Sequence, residues 1–117
     1  MSKAQNSFIL PISVDAAHAA CVMAAETDGW TIHDSDLEHF YLRQQISLID
    51  RFYKYPSDCA IFLHRQEPDA TLVELTGHIK GFGPLQRYRI TKAVERLRAA
   101  IEASANTERQ TDEAANP

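Results

Sequence analysis

The sequence predicts an α+β domain: a strand and a helix, then an antiparallel meander of four or five strands, then a C-terminal helix, with the sheet packed on the helices. Three observations predict it. Apolar residues alternate with period two over residues 8–14, 59–65 and 71–79, the pattern of half-buried strands. Two stretches free of Gly and Pro, residues 16–27 and 85–103, have the composition or spacing of helices. The connections between successive strands are short and turn-like, which suits hairpins and leaves no room for parallel crossovers.

Taken in order, Phe8, Leu10, Ile12 and Val14 share one side of the first strand, and Pro11, lacking an N–H, places it at an edge or a bulge. Asp15 stands where a helix N-cap belongs. The helix that follows is rich in alanine, so its backbone can approach a sheet or another helix closely, while Val22 and Met23 add bulk. Gly29 ends it and Trp30 opens a strand reaching Ile32. Asp34-Ser35-Asp36 reads as a turn. Residues 37–55 contain Phe40, Tyr41, Ile46, Ile49, Phe52 and Tyr53, and read as two strands broken near residues 45–47. A turn at residues 55–58, a strand at 59–65, a turn at 66–69 and a last strand at 71–79 complete the meander. Gly81-Phe82-Gly83-Pro84 leads into the second helix, Pro84 suiting its first position. Ile90, Val94, Leu97 and Ile101 recur at steps of four, three and four, one helical face.

Composition sets the outer limits. A chain of 117 residues with 44% hydrophobic and 24% charged residues suits one core. Residues 1–6 and 104–117 lack large apolar side chains beyond Met1 and are expected to be disordered, leaving residues 7–103 as the domain. The net charge of −4 is uneven: residues 1–83 carry −5, residues 84–102 carry +3 and the remainder −2. An acidic body disfavours a nucleic-acid partner, whose binding rests on phosphate neutralisation. No apolar run is long enough to span a bilayer and no secretory signal is evident, so a cytoplasmic location is expected. Cys21 and Cys59 each lie alone in apolar runs and read as two buried thiols, with no disulfide assumed.

This element order resembles the TBP-like and helix-grip (START or Bet v 1-like) folds, in which an antiparallel sheet curves around the last helix. The resemblance covers about residues 7–102. It implies a cavity for a small apolar ligand between the sheet and Ile90, Val94, Leu97 and Ile101.

Motifs that carry chemistry are absent: there is no phosphate-binding loop, no metalloprotease motif and no nucleophile elbow. Gly81-x-Gly83-x-x-Gln86 lacks the third glycine of a dinucleotide fingerprint and follows a meander strand. Around it, Lys80 and Arg87 could help the helix N-terminus hold an anion; alternatively, the glycines serve a tight reversal with Phe82 plugging the core. His18 and Cys21 share a helix face but find no third ligand, so neither metal nor cofactor is expected.

Strand parity yields the candidate site. Ile61, Leu63, Val73, Leu75 and Ile79 share the core face, leaving Phe62, His64, Leu72, Glu74, Thr76 and His78 on the other. His64 falls opposite or diagonal to Glu74, and a carboxylate beside an imidazole tunes it towards base chemistry. Tyr41 and Arg43 extend the same face into a mixture that suits a partner surface. Three readings follow. The first is a non-catalytic module binding a protein partner or a second copy of itself through Tyr41, Arg43, Phe62, His64, Glu74 and His78, or through the alanine-rich helix. The second is a carrier of a small apolar ligand. The third is an enzyme using His64, Glu74 and His78.

Overall fold

The computed structural model describes residues 1–45 and 56–115, the last eight of these as backbone only. The described residues run β1 (Ser2–Leu10), α1 (Val14–Thr27), β2 (Trp30–Ser35), β3 (His39–Gln44), β4 (Ser57–Glu67), β5 (Ala70–Ile79) and α2 (Pro84–Ala115). Their strands form one antiparallel sheet in the order β1-β5-β4-β3-β2. The first strand therefore closes the sheet beside the last, the consequence of one long excursion through a meander of hairpins.

Several boundaries differ from those the residues suggested, each for a local reason. β1 begins at Ser2, so residues 2–6 are not disordered: their backbone pairs with Leu75–Ile79 of β5, and the Ser2 hydroxyl donates to the Gly81 carbonyl at 3.1 Å. Ladder bonding orders a polar segment that has no large apolar side chain of its own. Ser13 rather than Asp15 caps α1, its Oγ accepting from the Ala16 N–H at 3.3 Å, and Asp15 falls in the first turn. β2 continues through Ser35 over a bulge between Ile32 and Asp34, so the turn lies at Asp36, whose N–H donates to the His39 carbonyl. α2 runs past residue 103, with Ser104 and Ala105 buried and Ala105 sharing a small cleft with Leu10 and Ile12. The second strand expected within residues 37–55 lies outside the described residues.

Both helices cover one face of the sheet and pack on each other. Ala17, Ala20, Ala24 and Ala25 of α1 are fully buried, so its small residues serve close packing within the chain. The strands contribute Phe8, Leu10, Phe40, Leu42, Cys59, Ile61, Leu63, Val73, Leu75 and Ile79, and α2 contributes Ile90, Val94, Leu97 and Ile101, all buried. The parity assignment of β4 and β5 thus holds at each core position named from the sequence. Gly77, on the core face of β5, lies under α2: a Cβ there would meet Val94 Cγ2 at 2.5 Å and Ile90 Cδ1 at 2.9 Å. After β5 the chain reverses through Gly81 and Gly83, at φ of 98° and 106°, conformations that L side chains resist.

Candidate functional site

The outer sheet face is built from cross-strand rows. The register places Arg43 opposite Asp58, Asp58 opposite His78, and His78 opposite Lys3, one row across four strands. Arg43 donates to Asp58 from Nε at 2.8 Å and from Nη2 at 3.3 Å, and the Tyr41 hydroxyl donates to the same carboxylate at 3.1 Å. Partial desolvation and the bond to Asp58 raise the Tyr41 pKa, and the bond to Asp58 raises that of Arg43. Asp58 is the hub of this cluster, and its position in a sequence turn concealed it. Only the start of β4 at Ser57, two residues before the sequence-predicted strand, puts it on the outer face.

A second row holds Glu74, Phe62 and His39. His64 Nε2 lies 3.3 Å from Glu74 Oε2, the diagonal contact the parity predicts, with both side chains about half exposed at 48% and 46%. Phe62 stacks on His39 at 4.8 Å between ring centroids. Of the six residues singled out on this face, Tyr41 and Arg43 are thus joined through Asp58, and His64 is joined to Glu74. His78 stands in the row with Asp58, away from the His64–Glu74 pair, and Phe62 pairs with a histidine that sequence reasoning did not select. His18, considered as a ligand with Cys21, instead makes a 3.2 Å hydrogen bond through Nδ1 with the Leu37 carbonyl and lies against Phe40. Burial pushes the thiols of Cys21 and Cys59 up to about 12, and both are free.

On the inner side, the described residues fill the space expected to hold a ligand. Ile90, Leu97 and Ile101 have no exposed surface, Val94 has almost none, and the absence of a Gly77 side chain is taken up by Val94 and Ile90. Open space lies at the start of α2. A cleft of about 410 Å³ is lined by Gly83, Pro84, Arg87, Tyr88 and Thr91. Tyr88, in its wall, is 60% exposed, and Phe82 and Leu85, nearby in the sequence, are 84% and 68% exposed. Phe82 therefore does not plug the core, because the two left-handed glycines beside it turn its backbone outward. Arg87 makes no ion pair among the described residues, and Lys92 sits 5.6 Å from the Tyr88 ring centre. The sequence signal for this site was the spacing of Phe82, Leu85 and Tyr88, three apart and off the Ile90–Val94–Leu97–Ile101 stripe.

Comparison with known proteins gives the fold a wider context. No family model matches the chain, and no curated protein matches it in sequence. Solved structures do match. A START superfamily protein from Mycobacterium smegmatis superposes with a TM-score of 0.67 at 9% identity, over 92% of this chain and 99% of its own. A protein from Nitrosospira multiformis gives 0.63 at 13% identity over 92% and 99%. A Streptomyces aromatase/cyclase gives 0.51 at 10% identity over 97% of each chain. The chain has a START/Bet v 1-like helix-grip fold, and at these identities the likeness is one of fold alone. No helix among the described residues is long and apolar enough to cross a membrane.

Proposed function

We propose that the protein is a non-catalytic binding protein for a small amphipathic molecule with an apolar body and an anionic group, held in the open cleft at the start of α2. The observation that carries this reading is the open cleft of about 410 Å³ walled by Pro84, Arg87, Tyr88 and Thr91, with Tyr88 60% exposed in it. Apolar contact with Tyr88 would hold the body of the ligand. Arg87, whose guanidinium has no acidic partner among the described residues, would pair with the anionic group. The helix-grip fold supports the reading as analogy, and the close packing beneath Gly77 supports an open site at the helix start over one enclosed against the sheet. A partner surface on the outer sheet face has less support, because several of its polar side chains are already bonded within the chain, Arg43 to Asp58 and His64 to Glu74.

Decanoate, an apolar chain bearing a carboxylate, is a suitable probe. Calorimetric titration should show saturable binding, weakened about tenfold or more in Arg87→Ala through loss of a charge-assisted hydrogen bond. Tyr88→Ala should weaken it as well. Absence of saturable binding, or affinity unchanged in both variants, overturns the reading.

A further inference from the structure

We infer that the reversal between β5 and α2 docks the protein on a membrane surface that carries anionic lipids. The charge of this segment is one-sided. Residues 75–94 include Lys80, Arg87, Arg89 and Lys92 and no Asp or Glu, although the whole chain carries a net charge of −4. Lys80 and Arg87 are exposed and make no ion pair among the described residues. Lys92 reaches Glu95, the first acid beyond the stretch, at 3.4 Å. A membrane's surface potential decays over about 8 Å at physiological ionic strength, so the charges on the approaching segment govern docking and the acidic remainder of the chain is screened.

The same segment exposes apolar groups. Phe82 is the most exposed large hydrophobic side chain among the described residues, and Leu85 and Tyr88, also exposed, follow it at steps of three. Leu85, Tyr88 and Lys92, at steps of three and four, lie on the side of α2 away from its buried stripe of Ile90, Val94, Leu97 and Ile101. Apolar and basic side chains thus interleave along one exposed segment, the composition that meets acyl chains and anionic headgroups together. The segment is held in place: Gly81 and Gly83 adopt positive φ, and the Ser2 hydroxyl donates to the Gly81 carbonyl at 3.1 Å. A bilayer suits it better than a protein partner, because a fluid phase closes around single projecting side chains, whereas a protein must supply a fitted pocket for each. Phe82 and Leu85 lie outside the walls of the cleft at Tyr88, so the inference does not rest on the ligand proposed above.

The test is co-sedimentation of the full chain with vesicles of phosphatidylcholine and with vesicles of phosphatidylcholine and phosphatidylserine in equal parts. Binding should be about tenfold or more tighter to the mixed vesicles and should fall as salt rises. Phe82→Ser and Leu85→Ser, combined in one chain, should weaken it about tenfold or more. Ile9→Ser, which removes a comparably exposed apolar side chain from β1, should leave it unchanged. Lys80→Glu should weaken it about fivefold or more. All are exposed positions, and the amide spectrum of each variant reports that the fold is intact. The combined variant should still bind decanoate, which separates loss of docking from loss of the ligand. Absence of binding to both vesicles, equal binding to both, or equal weakening by Ile9→Ser and the combined variant overturns the inference. Dimers that form without vesicles and dissociate in the combined variant would assign the surface to a second copy of the chain and overturn it as well.

Discussion

Gly77 lies directly beneath Val94, so close that a single added Cβ would stand 2.5 Å from Val94 Cγ2. The neighbour is a stiff, β-branched side chain with no room to retreat, buried together with Ile90. Gly77→Ala must therefore push α2 off the sheet or strain Val94. It should destabilise the protein by about 1–3 kcal/mol in urea unfolding, the range for overpacking a filled core. A loss near zero would mean that the space between the sheet and α2 is larger than described here.

The same packing predicts the converse result from truncation. Leu97 and Leu75 are buried on opposite sides of the core, one on α2 and one on β5. Leu97→Ala or Leu75→Ala should each cost about 2–5 kcal/mol, as cavity-forming substitutions do. A cost under about 1 kcal/mol in either would contradict the face assignment.

Asp28 joins the end of α1 to the start of β2 and to α2. Its carboxylate accepts from the Trp30 indole N–H at 2.9 Å and from Arg96 Nε at 2.8 Å. Trp30 is almost fully buried, so Asp28→Ala leaves its N–H without an acceptor. The expected loss is about 1–3 kcal/mol by denaturant unfolding, most of it from the unpaired indole. Arg96→Ala removes a half-exposed partner and should cost under about 1 kcal/mol.

The cysteines give a pH prediction. Both thiols are held at about 12 in the fold by burial, against an ordinary value of 9.0. Above pH 9 the unfolded chain therefore releases protons that the folded chain retains. Stability should be constant with respect to these groups below that pH and fall as pH rises from 9 towards 12. Native protein should also react slowly with a thiol reagent at pH 8 and rapidly once unfolded. Fast labelling of the folded protein would contradict the burial of both sulfurs.

Much of this fold was legible in the residues. Alternation along β4 and β5 assigned Ile61, Leu63, Val73, Leu75 and Ile79 to the core because a strand has a side-chain period of two, and a short turn then sets His64 near Glu74. The spacing of Ile90, Val94, Leu97 and Ile101 gave the buried stripe of α2 in the same way. What stayed hidden was non-local. The pairing of Ser2–Asn6 depends on β5, seventy residues away, and no local hydrophobic signal announces it. Asp58 read as a turn residue until Arg43 and Tyr41 were brought to it from β3. The tight reversal at Gly81 and Gly83 was legible, but not that it leaves Phe82 exposed rather than plugging the core. Spacing set Leu85 and Tyr88 off the buried stripe of α2, but the opening beside Tyr88 is a product of how α2 leaves the sheet.

The most direct test of the central proposal is to locate bound decanoate by intermolecular nuclear Overhauser effects in methyl-labelled protein. The proposal predicts contacts from the decanoate methylenes to the Tyr88 ring and the Thr91 methyl group, with none to Leu97 or Ile101. Contacts to the Leu97 and Ile101 methyls would place the ligand between the sheet and α2 and contradict the assignment to the open cleft.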